Sequence, residues 1–158
     1  MTDRDSDSLT ERLATATAPD GTGELIAVLP FSAEIGMRVH RAKDSVAILS
    51  QPYDSRLIGD PETGVLHGGL MTALLDTACG WAVISSPANL RATATLDLRI
   101  DYMRPATPGE TVFARAECYR LTRSVGFARA VAYHTAPQEP VASAQGAFML
   151  ERAPEEEG

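Results

Sequence analysis

The sequence predicts an α+β fold, one buried helix laid against an antiparallel sheet, and three features of it do so. Residues 70–84 are apolar on nearly every side of a helix, residues 92–102 alternate strictly between apolar and polar, and three more extended runs follow with short connections. Helix period first and strand period afterwards, without regular alternation of the two, is the pattern of a segregated α+β domain.

Taken in order, residues 1–20 are polar, close on Pro19-Asp20-Gly21 and read as a tail, with a short helix expected at 9–16. A brief helical stretch at 24–29 is expected to stop at Pro30. Extended runs at 34–41 and 45–50 flank a turn placed at 42–44. Residues 51–66 carry Pro52, Gly59, Pro61 and Gly64 and little periodicity, and so read as a loop. The helix at 70–84 is then apolar all round, which marks a buried helix. It is too short for a membrane span, which needs about 20 apolar residues, and Asp76 interrupts it. In the long strand at 92–102, Ala92, Ala94, Leu96, Leu98, Ile100 and Tyr102 share one parity, which is expected to face the helix. Runs at 111–119, 125–134 and 141–150, joined by a tight connection at 121–124 and a looser one at 135–140, predict an antiparallel meander. The domain is thus expected at 21–150, with an acidic tail at 151–158.

At 158 residues the chain is long enough for one domain with a real core, and 44% hydrophobic against 22% charged residues is a globular balance. The net charge of −7 sits mostly at the ends. Asp3, Asp5, Asp7 and Glu11 outnumber Arg4 and Arg12, and Glu151, Glu155, Glu156 and Glu157 outnumber Arg152. The body lacks the basic excess of a nucleic-acid binder. Cys79 and Cys118 have neither zinc-site nor disulfide-framework spacing, and the three histidines are scattered, so neither a metal nor a cofactor is expected. The first residues have no apolar core of a secretion signal, and the expected compartment is the cytoplasm.

Asp76 stands alone as a charge within the apolar helix, where an ionised carboxylate costs several kcal/mol unless compensated. A group kept there is a candidate for chemistry. Immediately ahead lie Leu66-His67-Gly68-Gly69. Glycines weaken a helix, but at its start they let the free N–H groups of the first turn approach a ligand, backed by the positive end of the helix dipole. Such donors suit a developing oxyanion. Gly68 and Asp76 are eight residues apart, about 12 Å along the axis, too far for one carbonyl to touch both. Two antiparallel copies of the helix would bring Asp76 of one chain beside Gly68 of the other. The spacing therefore predicts a site across a dimer interface.

The run from His67 to Asp76, followed by the strand ending Asp101-Tyr102-Met103-Arg104-Pro105-Ala106, resembles the PaaI-type hotdog thioesterases over residues 21–150. The resemblance implies a hotdog fold, a curled antiparallel sheet around one long helix, assembled as a homodimer or a tetramer, and hydrolysis of an acyl-CoA. It implies that Asp76 is general base or nucleophile, that Gly68 gives its N–H to the thioester carbonyl, and that His67 supports that site beside Gly69. The family often carries an Asn ahead of the His; here the nearest residue is Asp60, which as a carboxylate cannot donate. Thr95 aligns with a hydroxyl that holds the water in some members. Its parity points it away from the helix, so a bulge or a partner-chain contact is required.

Arg99, Arg104 and Arg123 are candidates for the CoA phosphates, foremost Arg123-Ser124 at the expected hairpin tip. Cys79 reads as core filling. Trp81, Tyr102 and Phe127 are expected to shape the acyl pocket, and an aryl-acetyl or medium-chain group is the expectation. Two other readings stay open, a non-catalytic acyl-CoA-binding protein and a hotdog hydratase or dehydratase. No His lies between 68 and 133 to complete the usual hydratase pair.

Overall fold

A computed structural model of the chain describes residues 29–88 and 90–152. The tail at 1–20, the stretch at 9–16, all but the last residue of the one at 24–29 and most of the acidic C-terminus lie outside the described residues. The first described helix, α1 (Pro30–Glu34), has Pro30 in its first turn. Proline's missing N–H and fixed φ suit that position, so Pro30 opens a helix of its own.

Strands β1 (Arg38–Lys43) and β2 (Val46–Gln51) form a hairpin closed by Asp44 and Ser45, at φ 54° and 63°. The turn lies later than the expected 42–44. Ala42 and Lys43 stay in the ladder opposite Ala47 and Val46, and the two-residue loop takes positive φ at both positions, which matches the twist of the strands. A 3₁₀ turn at Ser55–Leu57 follows, capped by the Asp54 side chain. The expected loop is internally bonded: Ile58 bridges Leu66, Gly59 N–H donates to the Val65 carbonyl at 2.8 Å, and His67 N–H donates to that of Leu57 at 2.9 Å. These bonds deliver His67 to the start of α2 (Gly68–Ile84).

The sheet is completed by β3 (Leu90–Tyr102), β4 (Val112–Leu121), β5 (Val125–Tyr133) and β6 (Pro140–Arg152). Its six strands run in the order β1-β2-β4-β5-β6-β3, every neighbouring pair antiparallel. The last three strands are the expected meander. The long β3 crosses instead to the far edge and pairs with β6.

One face of the sheet curls around α2. Leu70, Met71, Leu74, Leu75, Ala78, Cys79, Trp81, Ala82 and Val83 are buried against it. Alanines 114, 116, 128, 130, 132, 142 and 144 supply much of the facing surface, and such short side chains let the strands pass close to the helix. Each buried leucine contributes roughly 1.5–3 kcal/mol of transfer free energy, which fixes how the helix is rotated. The burial is not all round, however. Gly69, Thr72, Ala73, Asp76, Thr77, Gly80 and Ile84 stay partly or fully exposed, a stripe at three- and four-residue spacing along one side. No helix among the described residues is long and apolar enough to cross a membrane.

Candidate active site

The helix start is organised by His67. Its backbone is extended (φ −61°, ψ 135°), and its Nδ1 accepts the N–H of Gly69 at 2.9 Å. With Nδ1 taken up as an acceptor, Nε2 is the ring nitrogen left for other partners. A Cβ on Gly69 would lie 2.9 Å from that nitrogen, and one on Gly59 would lie 2.9 Å from the His67 Cα. Both glycines therefore make room for the histidine. The Gly69 N–H is thus used within the protein. The Gly68 N–H, one residue earlier, meets no acceptor among the described residues. It is the donor the helix start holds out.

Asp76 lies two turns along the half-exposed stripe. Thr95 Oγ1 donates to its Oδ1 at 2.7 Å. This contact is made within one chain, and a bulge makes it possible. Thr95 pairs with Phe148 and Asp97 with Ala147, so Leu96 is left over and stands 57% exposed. Before the bulge Thr93 and Thr95 face the helix, and a Cβ on Gly80 would lie 3.8 Å from Thr93 Cγ2. After it, Leu98, Ile100 and Tyr102 do. The expected single parity therefore holds only for the second half of β3, and Leu96 points away from the core.

Tyr102, at the end of the same strand, returns to the helix start. Its hydroxyl donates to the Gly68 carbonyl at 3.0 Å and meets Thr72 Oγ1 at 2.9 Å. Beside it lies an open pocket of about 450 Å³, bounded by Val65, Leu66, Met71, Tyr102, Ala106 and Gly68 itself. The segment beyond β3 is pinned by His134, whose Nε2 accepts the Thr107 N–H at 2.9 Å while Nδ1 meets the Thr111 carbonyl at 2.8 Å. Sequence reasoning missed the roles of Thr72, Tyr102 and His134. The four-residue step from Gly68 to Thr72 was the available signal for the first.

The other candidates are more dispersed. Asp60 accepts from Thr63 Oγ1 at 2.6 Å and from the Glu62 N–H at 3.0 Å, and the Thr63 bond foremost holds its carboxyl below the usual range. It is an acceptor engaged in its own turn. Arg123 and Ser124 form the β4–β5 tip near the far end of α2, where a Cβ on neighbouring Gly126 would lie 2.9 Å from Val83. Arg99 pairs with Asp101 at 3.0 Å on the outer face of the sheet. Arg104 alone of the three candidate arginines borders the Gly68 pocket. Burial pushes the Cys79 thiol up to about 12, so it carries no thiolate at neutral pH. Among the described residues no group of three or more His, Cys, Asp or Glu is placed to hold a metal.

Residues 63–141, which run from the loop through α2 and into β6, match the thioesterase superfamily. The chain belongs to that superfamily. It is a thioester hydrolase of the PaaI type, with a hotdog fold. The chain is 30% identical over 135 residues to the medium/long-chain acyl-CoA thioesterase YigI of Escherichia coli, covering 77% of this chain and 86% of that one. A crystal structure of a Pseudomonas aeruginosa protein is 40% identical, covers 89% of this chain and 98% of its own, and superposes with a TM-score of 0.71. A structure of the phenylacetic acid degradation protein PaaI of Thermus thermophilus is 27% identical, with coverage of 78% and 99% and a TM-score of 0.67. In this thioesterase the Asp76 carboxylate and the helix-start Gly68 N–H both lie on the exposed side of the helix, together with the hydroxyls of Thr72 and Thr77.

Proposed function

We propose that the chain hydrolyses acyl-CoA thioesters at a site shared by two protomers, the acyl carbonyl resting on the Gly68 N–H of one and water being activated by Asp76 of the other. The observation that carries this is the spacing of the two groups. They lie eight residues apart on one straight helix, about 12 Å along the axis. The surfaces left open support a partner. Strand β3 offers 13 residues of edge, and the half-exposed stripe of α2 runs beside it. Antiparallel pairing of two β3 edges would join the sheets and set the two helices side by side in opposite directions.

In this reading Thr95 holds Asp76 by Oδ1 and leaves Oδ2 to the water. Asp76 takes a proton as the water oxygen attacks the carbonyl carbon, and the negative charge moves onto the carbonyl oxygen at the Gly68 N–H. The C–S bond then breaks, CoA leaves as thiolate, and the proton returns to it. No triad is needed, because a thiolate leaves readily. The names of the relatives point to a medium or long acyl chain and to an aryl-acetyl group, and the Gly68 pocket, lined by Met71, Leu66 and Val65, is apolar enough for either.

Thiol release from a panel of acyl-CoAs, measured for the wild type and Asp76→Asn, tests the reading. The substitution keeps the size of the side chain and should lower kcat at least ~100-fold while the protein stays folded. Binding without thiol release would favour a non-catalytic carrier, and wild-type turnover by folded Asp76→Asn would end the assignment.

A further inference from the structure

We propose that Tyr102 and Thr72 are positioning residues, a pair of hydroxyls that latches the Gly68 carbonyl and so steadies, across the Cα, the N–H of the preceding peptide that the thioester carbonyl meets. The inference rests on the reading of Gly68 as oxyanion donor and adds what holds that donor still. The difficulty is plain from the sequence. Two consecutive glycines begin the helix, each about 1 kcal/mol less favourable there than alanine, and helix ends fray. Gly68 has no side chain to anchor it, and its N–H has no acceptor among the described residues. Left to the helix alone, the donor would wander.

The latch comes from the opposite end of β3. The Tyr102 ring stands over Gly68, its nearest atoms 3.8–3.9 Å from the position a Gly68 Cβ would take. Its hydroxyl donates to the Gly68 carbonyl at 3.0 Å. With that proton committed, the 2.9 Å contact with Thr72 is a bond from the threonine hydroxyl to the phenol oxygen. Thr72 Oγ1 also lies 3.4 Å from the same carbonyl and closes the triangle. The bulge at Leu96 is what lets one strand serve both groups. Thr95 and Tyr102 are seven residues apart and of opposite parity, so an unbroken strand could turn only one of them toward the helix. With the bulge, β3 holds Asp76 at one point and Gly68 at another.

The test uses the full chain with an acyl-CoA it turns over. Tyr102→Phe removes the hydroxyl and keeps the ring; Thr72→Val removes the second hydroxyl, and Thr72→Ser retains it. Each hydroxyl deletion should lower kcat about 10-fold with KM changed less than about twofold, because a misplaced oxyanion donor is felt mainly in the transition state. The double variant should lose no more than the worse single one, since both act through one carbonyl, and Thr72→Ser should restore the rate. The same Tyr102→Phe change is then made in Gly68→Pro, which lacks the N–H. There it should alter the residual rate no further. Wild-type kcat in Tyr102→Phe, a rise confined to KM, or an equal further loss in the Gly68→Pro background would overturn the latch. The Gly68 reading fails separately, by wild-type kcat in Gly68→Pro.

Discussion

Replacing Gly69 by alanine sets two opposed effects against each other at the helix start. The new Cβ would stand 2.9 Å from His67 Nδ1 and 3.2 Å from its Cε1, closer than real Cβ contacts come, so the imidazole must swing out. The helix then loses the cap at Gly69 N–H, a change worth about 1 kcal/mol. Alanine in place of glycine returns nearly as much, up to about 1 kcal/mol, through lower chain entropy in the unfolded state. The net cost in Gly69→Ala should therefore be small. His67→Ala loses the same cap without the compensation and also vacates the space kept by Gly59. For a domain of this size about 1 kcal/mol moves the melting midpoint by roughly 2–4 °C. Thermal unfolding followed by circular dichroism should place His67→Ala 2–4 °C below the wild type and Gly69→Ala between the two, about 1 °C or less from wild type. A Gly69→Ala protein less stable than His67→Ala would refute the capping argument.

Two further outcomes follow from the geometry. Thr95→Val removes the 2.7 Å bond to Asp76 and, because both groups meet solvent, should lower kcat only about 5- to 10-fold with the fold intact; an unchanged rate would show that Thr95 does not hold the carboxylate. Cys79, fully buried with its thiol pushed up to about 12, should resist iodoacetamide at pH 8 in the native protein and react once unfolded, as read by mass after digestion; rapid native alkylation would contradict the packing of α2.

The helix and the meander were legible because their signals are local. An apolar run from Leu70 to Ile84, and three extended runs joined by two short connections, leave few alternatives. The His67-Gly68-Gly69 start and Asp76 stood out for the same reason, being residues that such a helix would not otherwise keep. Three things were not legible. The pairing of β3 with β6 joins residues some 40–60 positions apart, and no local pattern encodes it. The bulge at Leu96 was hidden because apolar residues continue at every second position through it, so the alternation looked unbroken. Thr95 alone hinted otherwise, since its expected role required a bulge or a partner contact. The Asp44-Ser45 turn was misplaced because neither residue is a glycine, although both adopt positive φ.

The shared site is the centre of this account, and mixing two impaired variants tests it most directly. Gly68→Pro removes the proposed oxyanion donor, and its backbone fits, since His67 at φ −61° and ψ 135° already has the extended geometry that precedes a proline. Asp76→Ala removes the base. Each alone should keep only a small residual rate. Unfolded together in equal amounts and refolded, about half of the dimers should be mixed, and each of these carries one doubly damaged and one intact site. Thiol release should then return to about a quarter of the wild-type rate. If both groups served a carbonyl within one chain, every site would keep a lesion. No recovery, with mixed dimers verified by native mass spectrometry, would contradict a site built from two chains.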